Sequence, residues 1–212
     1  MDRAIYVVFS STPTGMGRMI RLVTRHNFNH VSLSLTQDIQ KLYSFARYYR
    51  TIPLYGGFVE ESILRYQSFA GDAKVKICRI PADEAAISRL RQELDQLWNE
   101  RDTYIYNHPD AMVSLLHRRA KLPKAYTCVS FVWDILSRYH FISLPQVTPS
   151  ICQLEEYLKE YVIYEGSARP MVRKGRWGTD PFPQYTSRRY AVYTTARHFG
   201  RLAKRVLKEV AG

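Results

Sequence analysis

A chain of 212 residues is long enough for one domain with its own core plus an appendage, which argues against repeat arrays and disulfide-stapled miniproteins. With 46% hydrophobic and 24% charged residues, and no apolar run near the roughly 18 residues of a spanning helix, the composition is neither that of a disordered chain nor that of a membrane-embedded one. The net charge of +12 is uneven: the segment from Ser167 onward carries +9, so the body is close to neutral and the C-terminus is strongly basic.

In chain order, Ala4–Ser10 is an apolar, β-branched run that predicts a buried strand. Residues 11–15 close it, and a helix is expected from Gly17 to Arg25. His30–Thr36 alternates apolar and small polar residues as a half-buried strand does, and Lys41–Arg47 is its hairpin partner. Residues 48–72, with Pro53, Gly56, Gly57 and Gly71, read as a long structured loop. Lys74–Ile80 alternates again. Asp83 is the expected N-cap of a helix reaching Glu100, with Ile87, Leu90, Leu94 and Leu97 at helical spacing. Further helices are expected over 109–119, over Cys128–Tyr139, and from Ser150 to Leu158, with a last strand over Tyr161–Tyr164. The fold class is α+β: a small antiparallel sheet packed against helices in a body of residues 1–166, followed by a basic strap and helix over 167–212. The N-terminus enters its first strand too soon for a signal segment, so the expected location is cytoplasmic.

The chemistry-bearing candidates are few. Gly15-Met16-Gly17 lacks the rest of any phosphate-binding motif and reads as a plain turn. Cys78, Cys128 and Cys152 are widely spaced and odd in number, so neither a disulfide framework nor a zinc site is expected, and no cofactor is implied. Cys128 opens a mostly apolar helix, where unpaired N–H groups and the helix dipole favour a thiolate; Cys78 and Cys152 read as packing residues. Of six histidines, His26, His117, His140 and His198 fall in basic, helix-end or surface-like contexts and His108 in a loop. His30 opens a strand, which would hold its ring at a fixed angle, and Ser44 on the neighbouring strand is positioned to orient it.

The runs His30-Val31-Ser32-Leu33, Leu42-Tyr43-Ser44-Phe45-Ala46-Arg47 and Tyr126-Thr127-Cys128-Val129-Ser130-Phe131-Val132 resemble the circularly permuted NlpC/P60 enzymes, the YiiX/YaeF-like branch of papain-like thiol hydrolases. The order of histidine strand before cysteine helix is that of the permuted branch, and the resemblance spans roughly residues 4–166. It implies a permuted papain-like fold and a cysteine peptidase or amidase with Cys128 as nucleophile, His30 as general base and Ser44 as orienter. Serine stands where the family carries His, Asn, Gln or Glu, and Val129 where it carries Ser or Gly. The family's tyrosine near the thiol falls on Tyr104 or Tyr106, and Arg47 and Glu61 either line the cleft or are solvated surface charges.

The implied substrate is a small peptide of cell-wall type. The related lecithin retinol acyltransferase-like group, which also has histidine before cysteine, implies a lipid ester instead, and a catalytically inactive binding domain is the third reading. In the tail, a helix from Ala191 gathers Phe199, Leu202, Val206, Leu207 and Val210 on one side and basic residues largely on the other. Either its apolar side docks on the body, or the helix meets an anionic surface; no specific nucleic-acid motif accompanies it.

Overall fold

In the computed structural model, which describes residues 3–11, 27–67, 73–113 and 120–211, the apolar run at the N-terminus is the centre of the sheet. The strands are β1 (Ala4–Ser10), β2 (His30–Ser34), β3 (Lys41–Arg47), β4 (Gly56–Ser62), β5 (Lys74–Pro81) and β8 (Val162–Ser167). They lie in the order β4-β3-β2-β1-β5-β8, each neighbouring pair antiparallel. A separate pair joins β6 (Ile105–Tyr106) and β7 (Ala125–Tyr126) in parallel. The expected helix over 17–25, the Gly15–Gly17 turn and residues 114–119 lie outside the described residues.

Both faces of the sheet are covered, which is why β1 is apolar throughout rather than alternating. Ile5, Val7 and Phe9 face the main core, and Ala4, Tyr6 and Val8 a smaller one closed by Ile63 and Tyr66 from a 3-10 turn over Ile63–Tyr66. The main core is completed by helices. In α1 (Glu84–Asn99) the Asp83 carboxylate caps the Ala86 N–H, and Leu90, Leu94 and Leu97 are buried. After α2 (His108–Val113), α3 (Cys128–Arg138) buries Val129, Phe131, Val132, Ile135 and Leu136 against β2 and β3. α4 (Ile151–Tyr157) is opened by a reciprocal cap between Ser150 and Gln153.

The loop expected over 48–72 is corrected: it holds β4 and the 3-10 turn. Gly56 and Gly57 are crowding glycines within a strand. A Cβ on Gly56 would collide with the Ala46 carbonyl, and one on Gly57 with the Tyr48 hydroxyl and the Tyr104 carbonyl.

The strap packs over the body. It includes α5 (Arg169–Val172) and then fastens to the end of β4 through Asp180. The Asp180 carboxylate takes two hydrogen bonds from the buried Arg65 guanidinium, each 2.6 Å, and one of 2.8 Å from the Ser62 N–H. The Phe182 ring lies 4.6 Å from the Arg65 guanidinium.

The last helix, α6 (Arg188–Ala211), begins three residues before the expected start and docks on a different face from the expected one. Thr194, His198 and Leu202 are buried, while Arg201 and Arg205 donate to the carbonyls of Asp102, Lys124 and Thr103. Of the residues expected to dock, only Leu202 is buried; Phe199, Val206 and Leu207 are exposed, and the Val210 side chain lies outside the described residues. Among the described residues no helix is long and apolar enough to cross a membrane.

Candidate functional site

Three adjacent strands and one helix start bring the polar candidates together. On β2, alternation sends Val31 and Leu33 into the main core, leaving His30 and Ser32 to the other side. Ser44 on β3 and Glu61 on β4 reach the same cluster, and all four side chains are buried. His30 Nε2 lies 2.8 Å from Glu61 Oε1 and 3.2 Å from the Ser32 hydroxyl. The Ser44 hydroxyl donates to the same Glu61 oxygen. Beyond them, the Tyr66 hydroxyl is 3.5 Å from that of Ser32, and the Arg65 charge acts on Glu61.

Glu61 therefore sits where Ser44 was expected. Ser44 bonds the carboxylate rather than the imidazole, because its short side chain, one strand away, meets Glu61 first. Glu61 is neither a cleft-lining charge nor a solvated one: its side chain is 1% exposed. Burial works against ionisation of both partners, but each outweighs it for the other. The His30 pKa is raised by the Glu61 charge and by a hydrogen bond and charge from Cys128. That of Glu61 is lowered by the His30 and Arg65 charges and by hydrogen bonds from His30 and Ser44. Both shifts favour the imidazolium–carboxylate form of the pair.

Cys128 reaches this pair from the start of α3. Thr127 and Ser130 cap each other's N–H groups, at 3.1 and 2.8 Å, which pins the helix start at Cys128. The cap consumes the third N–H of the helix and leaves those of Cys128 and Val129 without an intrahelical acceptor. The Cys128 side chain is within hydrogen-bond reach of the His30 ring.

Of the two tyrosines, Tyr106 is the one within electrostatic reach of Cys128; burial, then the charges of Cys128 and Asp110, push its pKa up, so it is a neutral phenol. Tyr104 packs edge-on against Phe45, 6.2 Å between centroids. Arg47 turns its guanidinium onto the Phe182 ring at 5.0 Å, so its described contact is with the strap. Ser32, Arg65 and Tyr66 went unnoticed in the sequence. Only Ser32 carried a local signal, two residues from His30 on the same strand face.

The other cysteines match their packing roles: Cys78 is in the main core, its thiol pushed up to about 12 by burial, and Cys152 is raised for the same reason. Two other histidines are corrected from surface and loop positions to a packed cluster under α6. His198 is 1% exposed, with Nε2 3.1 Å from the Tyr106 carbonyl, and its ring centroid is 5.1 Å from that of His108. His26 and His117 lie outside the described residues, and His140 is exposed. A cavity of about 330 Å³ lined by Asn107, Asp110, Tyr126, Trp133 and Asp134 includes neither Cys128 nor His30. Among the described residues no group of three or more His, Cys, Asp or Glu side chains is set to hold a metal ion. Comparison with protein-family models, with curated proteins and with solved structures found no match to this chain.

Proposed function

We propose that the protein is a thiol hydrolase of permuted papain-like fold, with Cys128 as nucleophile, His30 as the base that holds the Cys128 proton and then, as acid, gives it to the leaving group, and Glu61 as the residue that orients His30. The observation that carries this reading is the His30 ring held between two functional groups, Glu61 at 2.8 Å on Nε2 and Cys128 at the start of a capped helix. A carboxylate behind the imidazole stabilises the imidazolium, as in catalytic triads, and Ser44 holds the carboxylate. The reading as an inactive binding domain rests on Ser44 and Val129; Glu61 behind His30 weakens the first of these motives, and Val129 still stands where the family carries Ser or Gly.

In the proposed reaction the Cys128 thiolate attacks the substrate carbonyl carbon, forming a C–S bond while the carbonyl π electrons move to oxygen. The Cys128 N–H and the neutral Tyr106 hydroxyl are the donors for that oxyanion. Its collapse breaks the C–N bond, and the His30 imidazolium gives its proton to the leaving amine. His30, now neutral, takes a proton from water as the water attacks the thioester; the acid is released, and the thiolate and imidazolium are restored. The substrate class is a small peptide-like amide. A lipid ester is the second reading, favoured by the exposed apolar and basic residues of α6.

The test is the pH dependence of iodoacetamide alkylation at Cys128 in wild type and in His30→Ala. Fast alkylation already near about pH 6 that collapses in the variant is the expected result. A rate rising only near about pH 8.5, as for an ordinary thiol, and indifferent to His30 overturns the dyad. A screen of wall peptides against lipid esters then separates the two substrate classes.

A further inference from the structure

The helix α6 has two working faces. Its inner face is anchored by Thr194, His198 and Leu202, with Arg201 and Arg205 spent on backbone carbonyls. Towards its outer face Val192, Phe199 and Val206 recur every seven residues and so form one line along the helix, with Leu207 beside them; Phe199 keeps one ring face stacked on His108 at 5.6 Å and leaves the rest exposed. Val192 and Leu207 are 71% and 68% exposed. The line continues onto the body, where Ile52, Pro53 and Leu54 meet Ala191, Val192 and Ala196 in a shallow apolar groove. Beyond Leu207, on the other side of the solvent-facing half of the helix, lie Arg189, Arg197, Lys204 and Lys208, none ion-paired among the described residues, while Glu209 is the only acidic residue of the helix. Tyr185 and Tyr193 are exposed in the same segment.

We infer that this outer face is a docking surface for an anionic lipid bilayer, on which the protein sits with α6 in the plane of the headgroups. Charge and hydrophobicity choose this occupant together. A second copy meeting the same stripe would bring two unpaired basic flanks against each other. A nucleic acid would satisfy the basic residues but leave Val192, Phe199, Val206 and Leu207 against a polar polyanion. An anionic bilayer takes both, its phosphates meeting the arginines and lysines and its acyl boundary the apolar line, with tyrosines at headgroup depth. The helix is too polar to span, so the association is peripheral.

The test is co-sedimentation of the full chain with vesicles of phosphatidylcholine alone and of phosphatidylcholine mixed with phosphatidylglycerol. Binding only to the mixed vesicles, weakened by salt, is expected. Val192→Glu with Leu207→Glu should lower the partition coefficient by about tenfold or more, with an unchanged thermal melt because both side chains face outward. Equal or no binding to the two vesicle types, or binding indifferent to the two substitutions, overturns the inference. A dimer that the substitutions dissolve, or retention on duplex DNA without vesicle binding, assigns the face to another occupant and overturns it as well. Cys128→Ala should bind vesicles like the wild type, so failure of the hydrolase reading would leave this surface standing.

Discussion

His30 and His198 are both almost fully buried and each holds its Nε2 about 3 Å from an oxygen, yet they are driven to opposite charge states. His30 faces the Glu61 carboxylate and is pushed up; His198 faces the Tyr106 carbonyl. His198 is pushed down to about 4 by burial, by His108 and by the Arg201 and Arg205 charges, against the pull of that carbonyl. Burial alone makes a histidine neutral and inert. What turns a buried ring into a proton carrier is a full negative charge at the oxygen it meets, and among the described residues only the site beside Cys128 supplies one.

The largest effect should come from removing that charge. Glu61→Gln keeps the shape but leaves the buried His30 without its carboxylate, while Arg65 keeps Asp180, and should cost about 3–5 kcal/mol in denaturant unfolding. In NMR titration the His30 ring should then fall below its ordinary range, joining His198. An unchanged His30 titration would show that Glu61 is not what holds the imidazolium. The wild-type pair also sets an acid limb. Because the folded Glu61 pKa lies below its unfolded value, its contribution is present above the ordinary carboxylate range and is lost as pH falls through the folded pKa.

Ser44→Ala is the intermediate case. It removes one hydrogen bond to Glu61 and should cost about 1–2 kcal/mol, with His30 still titrating high. A loss as large as that of Glu61→Gln would restore Ser44 to the orienting role.

The smallest effect is at His198→Leu, about 1 kcal/mol at neutral pH for a lost bond to the Tyr106 carbonyl. Its signature is in the pH dependence. The unfolded chain binds a proton near pH 6.5 that the folded His198 refuses until about 4, so wild-type stability falls as pH drops through that window. The variant's thermal melt should be flatter there, and an equally steep curve would assign the slope to other groups.

The same contrast explains what could be read from the sequence. The alternation of β2, β3 and β5 and the spacing of α1 and α3 are local patterns, so those elements were legible, as were Cys128 at a helix start and His30 on a strand. β4 was not, because its signals mislead locally: two glycines look like a turn, and Glu60-Glu61 looks like a solvated pair. They are buried only because distant partners meet them, Lys41 and Thr179 for Glu60 and His30 for Glu61. With the strand hidden, its carboxylate could not be placed behind His30. The docking face of α6 was hidden for a similar reason. Its inner polar residues are threonine, histidine and arginine, which a hydrophobic pattern assigns to water; Thr194 bonds carbonyls of its own helix, and the partners of His198 and Arg201 are backbone carbonyls of a segment more than ninety residues earlier.

One consequence of Asp180 concerns how copies of this protein keep apart. β4 is the last strand of its sheet, and an outermost strand is a template onto which another chain can add. At Ser62 the backbone N–H is taken by the Asp180 side chain, an acceptor that cannot continue a ladder. The carboxylate that holds Arg65 thus also occupies, one residue from Glu61, a backbone donor that an added strand would need.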